Sequence, residues 1–241
     1  MLWFALTVLF SLLLPYTVNA AEYYAATTGG GSTCSIGSPC TIPGGIAKLS
    51  GGDTLYIRGG NYSDLEIGNA IPSGSVGART LITGYQTETV TLLRSKITMD
   101  GSVTNQYITF KNFSIDCQTT DCWIRLVTPV NNILFDGVNM GNSTTSSTGA
   151  GMITGNATFI EYRNMRIYNA GAGNCSFYAD QGCYGFYVNG HHLTFDNIEV
   201  YDCGATGLVI YHQNSTDVHD NVVKNSRFYN NGYNDRRGLA E

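Results

Sequence analysis

One figure recurs along this chain and limits what it can become. In Leu193-Thr-Phe195-Asp-Asn197-Ile198-Glu-Val200, apolar residues at 193 and 195 alternate with polar ones. Asn197 intervenes, and alternation resumes at 198 and 200. A period of two reads as strand, so the figure is two short strands bent at one asparagine. It returns from Ile108 to Ile115 around Asn112, from Ile133 to Met140 around Gly137, and from Ile160 to Ile167 around Asn164. A weaker copy runs from Val223 to Phe228 around Asn225, and partial copies start at Ile57 and Ile82. The residue two before each Asn or Gly falls at 57, 82, 110, 135, 162, 195 and 223, in steps of 25, 28, 25, 27, 33 and 28 residues.

A strand-bearing repeat of this length is one turn of a solenoid. No single unit can bury its apolar face, but stacked coils place Ile57, Ile82, Phe110, Phe135, Tyr162, Phe195 and Val223 in one interior file. The Asn or Gly at each bend fits, because those residues tolerate left-handed backbone angles. Further strands are expected at Trp123–Leu126, Gly151–Ile153, Gly185–Val188 and Gly207–Tyr211, forming another sheet of the same solenoid. The expected fold is all-β: a single-stranded right-handed parallel β-helix with a short N-terminal capping helix. The pattern resembles the pectate-lyase-like superfamily of parallel β-helix proteins, many of which act on acidic polysaccharides.

Residues 1–20 read as an export signal. Phe4 to Pro15 is almost wholly apolar, and Val18-Asn19-Ala20 offers small residues for cleavage before Ala21. The apolar run is short for a membrane span. Residues 21–241 then form one β-helix domain, expected as a secreted monomer with no later membrane segment. Glu22 to Ala26 reads as an opening strand. Pro43 to Leu49 reads as a short helix, with Thr41 as cap and Gly51-Gly52 after it. This opening resembles the start of exported β-helix enzymes, in which a helix covers the first coil. Arg237-Gly238-Leu239-Ala240 looks like the opening of another strand with no cap after it, so truncation at the C-terminus is expected.

Seven cysteines fit an oxidising compartment. The expected pairs are Cys34 with Cys40, Cys117 with Cys122, and Cys175 with Cys183, leaving Cys203. A zinc cluster is not expected, because the histidines do not alternate with cysteines at zinc-site spacing. N-x-S/T sequons at Asn61, Asn142, Asn156, Asn174 and Asn214 are candidates for glycosylation. Asn112 also heads a sequon but belongs to the bend column, where burial is expected to protect it.

Charged residues make up 13% of the chain, about half the usual share. The net charge of −5 argues against non-specific nucleic-acid binding. The polar residues thicken late. Asp202, His212, Asp217, His219, Asp220, Lys224, Arg227 and Arg236 fall within two coils. One coil step brings Asp196 toward Lys224 and Glu199 toward Arg227. These residues suit a site that breaks a uronic-acid polymer by β-elimination, with an acidic polysaccharide as partner. Such a site neutralises a carboxylate, removes the adjacent proton and assists the leaving oxygen. Asp202, Asp217 and Asp220 are candidates to hold Ca²⁺ through oxygens. Lys224 or His212 would be the base, and Arg227 would grip the substrate carboxylate as a planar fork. Tyr211 and Arg236 are candidates for substrate binding.

Two alternatives come from the same residues. The run from Tyr211 to Val218, leading to Tyr229-Asn-Asn-Gly232, resembles the region around the catalytic histidine of the mannuronan C5-epimerases. His212 takes the place of that histidine, with Tyr211 and Gln213 where the family has Pro and Glu. The other alternative is a non-catalytic carbohydrate-binding, adhesive or structural β-helix, in which the 16 tyrosines supply a sugar-stacking face. The paired aspartates and Gly-His-Gly run of polygalacturonases are absent, as is the Trp-Ile-Asp-His run of the main pectate lyases. His191, His192 and His219 read as surface or turn residues.

Overall fold

Coil follows coil along one axis, each strand hydrogen-bonded in parallel to the strand one repeat earlier and later. The structure is a computed structural model that describes residues 20–118, 120, 122–127, 129–143, 152–171, 183–212 and 217–232. Strand β1 (Glu22–Ala25) leads to helix α1 (Ile42–Ile46), then to β2 (Thr54–Ile57), β3 (Gly60–Ser63) and β4 (Glu66–Gly68). The next coil holds β5 (Thr80–Gly84), β6 (Val90–Leu93) and β7 (Lys96–Met99). Later coils hold β8 (Gln106–Asp116), β9 (Ile124–Val127), β10 (Asn131–Ser143), β11 (Met152–Gly155), β12 (Glu161–Ala170) and β13 (Phe186–Val188). The last are β14 (Thr194–Tyr201), β15 (Leu208–Ile210), β16 (Val222–Lys224) and β17 (Arg227–Tyr229). The four strands expected between the bent pairs are β9, β11, β13 and β15. They join β4 and β7 in a second parallel sheet.

The expected bend lies inside continuous strands. β8, β10, β12 and β14 each pass through it with a left-handed residue: Asn112 (φ 56°), Gly137 (φ 68°), Asn164 (φ 53°) and Asn197 (φ 57°). The asparagine amides then join the coils. Asn197 donates to Asn164 at 2.8 Å, and Asn164 donates to Asp136 at 2.7 Å. Asn112 is exposed on this bend rather than buried.

The interior file is an aromatic stack. Phe110, Phe135, Tyr162 and Phe195 follow one another in register and are fully buried. Their ring centroids are 5.1, 5.6 and 5.0 Å apart, with planes within 20° of parallel. Those spacings are close to the separation of neighbouring strands. Two ends of the expected file differ. Ile82 aligns with Leu55, while Ile57 aligns with Gly84. Both Leu55 and Ile57 point inward, so alternation alone cannot choose between them, and the hydrogen-bond ladder does. Val223 aligns with Phe195 but is 44% exposed.

The N-terminal helix forms as its sequence suggests. Thr41 is the N-cap, its hydroxyl accepting from Gly44 N at 3.1 Å, and Pro43 sits in the first turn. Ile42 and Ile46 are buried against the first coil. Asp53, itself buried, ties the start together by accepting from Ala21 N at 2.8 Å and Ser50 N at 2.7 Å. Among the described residues no helix is long and apolar enough to cross a membrane.

Cys34–Cys40 and Cys117–Cys122 are disulfides, as expected. Cys183 is also disulfide-bonded, while Cys175 lies outside the described residues. Cys203 is free and fully buried, and burial pushes its thiol up to about 12. A thiol held that high has almost no thiolate near neutral pH. Native protein is therefore expected to leave a thiol-exchange reagent unreacted at pH ~8, the ordinary range of free cysteine. One thiol per chain should react once the protein is unfolded without reductant. Rapid labelling of native protein would show that Cys203 is accessible.

Candidate functional site

A second set of left-handed residues builds the most chemically dense part of the surface. Tyr107, Asn132, Phe159, His192 and Asp220 all have φ between 51° and 57°. They occupy one rung: Tyr107 and Asn132 are the second residues of β8 and β10, and Phe159, His192 and Asp220 stand two residues before β12, β14 and β16. The same rung one coil earlier is Arg79. Beside this column runs the outer face of the first sheet, with Thr109, Glu161 and Thr194 in one row and Lys111, Asp136, Arg163, Asp196 and Lys224 in the next.

The column and the face enclose a shallow groove of about 250 Å³ bordered by Arg79, Asn132, Phe159, Glu161, His192, Thr194 and Asp220. Arg79 is fixed in its wall. Its guanidinium donates to Thr109 Oγ1 at 2.8 Å, to Ile108 O at 2.8 Å and to Asn132 O at 2.5 Å. Burial lowers its pKa from the usual value, yet an arginine in a protein keeps its charge. The outer row alternates in sign. Lys111 pairs with Asp136 at 3.2 Å, Lys224 pairs with Asp196 at 3.4 Å, and Arg163 pairs with Glu161. Asp196 also accepts from Asn225 at 2.9 Å, and that bond is the largest cause holding its carboxyl below the ordinary range, with Lys224 contributing.

At one end of the groove three imidazoles converge. His191 stacks face to face on His219, with centroids 4.7 Å apart and planes 8° from parallel. His191 Nδ1 lies 2.8 Å from His192 Nδ1. Phe159 closes one side, 4.5 Å from the His192 ring centroid. Carboxylates close another. Asp220 Oδ2 lies 2.7 Å from His219 Nδ1 and 3.7 Å from His192 Nε2, and Asp217 Oδ2 lies 3.3 Å from His219 Nε2. The bond to Asp220 is the main cause raising the His219 pKa, against a smaller opposing effect of desolvation.

The expected site residues divide. Lys224 stands on the outer face near the groove, and Asp217 and Asp220 sit with His219 at its end. Asp196 reaches Lys224, and Glu199 reaches Arg227 at 2.7 Å, as the coil step implied. Arg227 itself lies past the Asn225 bend, on the next face. Asp202 is at the far turn of its coil, in another left-handed position (φ 54°). Tyr211 and His212 follow β15 in the second sheet, where Tyr211 stacks on Tyr187 at 4.2 Å. Arg236 lies outside the described residues, as do the sequons Asn174 and Asn214. Asn61 and Asn156 are exposed. Asn142 is half-buried in a ladder, donating to Asp116 and accepting from Asn169.

Asp202, Asp217 and Asp220 are therefore not brought to one point, and they do not fit as a Ca²⁺ cage. Among the described residues the group of three or more ligand-bearing side chains close enough to share a metal ion is His191, His192 and His219. Imidazole nitrogen is a poor partner for a hard cation that takes six to eight oxygens. Sequence reasoning left these histidines as turn residues and passed over Arg79 and Glu161. The signal was present: the step of 28 between Phe195 and Val223 also carries His191 onto His219. Aromatic rows also form. Tyr168, Tyr201 and Tyr229 stack at 5.7 and 5.2 Å beyond Arg166 and Arg227.

No protein-family model matches the chain, and no curated protein matches it in sequence. Solved structures do match in shape. Pectate lyase Pel9A superposes with a TM-score of 0.65 at 17% identity, over 93% of this chain and 57% of that one. A rhamnogalacturonan lyase superposes with a TM-score of 0.62 at 15% identity, over 79% of this chain and 54% of that one. The chain has the right-handed parallel β-helix fold of pectate-lyase-like proteins. It spans a little over half the length of these two structures.

Proposed function

We propose that this chain is an exported protein that binds an acidic polysaccharide along the outer face of its first sheet and cleaves a uronic-acid polymer by β-elimination. The observation that carries this reading is the exposed row Lys111, Arg163 and Lys224 beside the groove walled by Arg79. It sets one cation on every second coil, so the rigid solenoid offers positive charge at regular intervals to a polyanion with regularly spaced carboxylates. The acids between them keep the row ordered, and exposed pairs of this kind exchange partners at little free-energy cost. The fold shared with two proteins named as lyases agrees with this reading.

In elimination a base takes the proton beside the sugar carboxylate, the bond to the leaving oxygen breaks, and a carbon–carbon double bond forms. Lys224 is the candidate base that lies on this face. His212, the other candidate base, and Arg227, the candidate grip on the substrate carboxylate, stand on other faces of the coil. Lys224 is paired with Asp196 at 3.4 Å, an arrangement that suits gripping carboxylates. That pair favours binding without cleavage as the second reading.

The test is ultraviolet absorbance of the unsaturated product during incubation with polygalacturonate, alginate and chondroitin, alongside retention on each immobilised polymer. Rising absorbance that is lost in Lys224→Ala supports the lyase. Retention without absorbance supports binding alone. No retention and no absorbance on any polymer would overturn both.

A further inference from the structure

We propose that His191, His192 and His219 form a binding site for a divalent transition-metal ion of the zinc or copper class. The donor atoms of the three side chains all lie within 4.8 Å of one another. A tetrahedral site with bonds of about 2.0–2.1 Å needs nitrogens roughly 3.3 Å apart. The remaining closure is at most about 1.5 Å, which rotation of the imidazoles supplies because that torsion is broad in histidine.

The backbone that carries these side chains is fixed by both neighbouring coils. Phe159 N donates to His191 O, and His192 N donates to His219 O. Asn221 Nδ2 donates to Gly190 O at 3.1 Å, while Asn221 Oδ1 accepts from Leu193 N at 2.9 Å. Two ligands thus come from one turn and the third from the same turn one coil later. An ion there would clip adjacent coils together.

The surroundings fit a metal better than three independent turn histidines. The three rings present their nitrogens to one shared space, where a single dication would engage all three. Asp220 lies against two of them, at 2.7 Å from His219 and 3.7 Å from His192. A carboxylate beside metal-binding imidazoles fixes ring orientation and raises ligand basicity, or takes the fourth position itself. Phe159 shields the cluster on another side. Nitrogen donors with one carboxylate select zinc, copper or nickel over calcium and magnesium.

This inference does not rest on the polysaccharide reading. Its test is equilibrium dialysis of the untagged secreted chain with Zn²⁺, plus visible spectroscopy with Co²⁺ as a probe. One ion per chain is expected, with micromolar or tighter affinity, a tetrahedral Co²⁺ spectrum, and no displacement by millimolar Ca²⁺. Asp220→Asn should weaken Zn²⁺ binding by about tenfold. His192→Gln and His219→Gln should weaken it further, and His212→Gln should leave it unchanged. Circular dichroism verifies that each variant is folded. No saturable binding by the wild type would overturn the site. So would saturable binding that survives His191→Gln, His192→Gln and His219→Gln combined.

Discussion

Phe135→Ala is expected to destabilise the protein by about 3–5 kcal/mol, the range for removing a fully buried aromatic ring. Phe135 has no exposed surface and is flanked by Phe110 at 5.1 Å and Tyr162 at 5.6 Å, nearly parallel to both. Its loss leaves a void between two rings that are held apart by their own strands. The backbone ladder keeps the coil spacing, so neighbouring rings cannot slide together to fill the gap. For a chain of this size that loss corresponds to a fall in melting temperature of roughly 6–20 °C. Urea unfolding followed by circular dichroism measures it. Val223→Ala is the internal control: it lies on the same file but is 44% exposed, and should change stability by only about 0.5 kcal/mol. Equal effects of the two substitutions would mean that the stack is not the core.

That contrast also marks how much was written in the sequence. The bend column was legible because its chemistry is narrow. A left-handed residue inside a strand is nearly always Asn or Gly, and at 112, 137, 164, 197 and 225 the residue is one of these. The column at the entry edge of the first sheet is built from the same backbone geometry but holds Tyr107, Asn132, Phe159, His192 and Asp220. No shared residue type announces it, so the groove beside it was not foreseen. The histidine cluster was hidden for another reason. Zinc-site spacing rules describe ligands on one local turn, whereas a solenoid assembles ligands one coil apart. The same logic separates Asp202 from Asp217 and Asp220. They are near in sequence, yet the coil carries them to different turns.

Gly190→Ala joins the fold to the site, and is expected to damage both. Gly190 has φ +129°, and a Cβ built on it would fall 2.3 Å from Ala157 O, a backbone atom of the preceding coil. A side chain could rotate away, but a backbone carbonyl cannot. The left-handed backbone costs roughly 1–3 kcal/mol in a residue with a Cβ, and the crowding adds about 1–3 kcal/mol. The turn must relax by lifting from Ala157, and His191 and His192 lift with it, while His219 stays on its own coil. Zinc affinity should therefore fall by more than tenfold, beyond what the lost stability alone would produce in a protein still folded at the assay temperature. Gly77→Ala separates the two effects. Gly77 has φ +80° with open space around the added carbon, so it should cost only about 1–2 kcal/mol and leave zinc binding intact. If Gly190→Ala lost stability but bound zinc normally, the ligands would be set by the rings' own freedom rather than by this turn. A matched loss in both measurements would place the metal ligands on the close approach between coils, where glycine is the residue that fits.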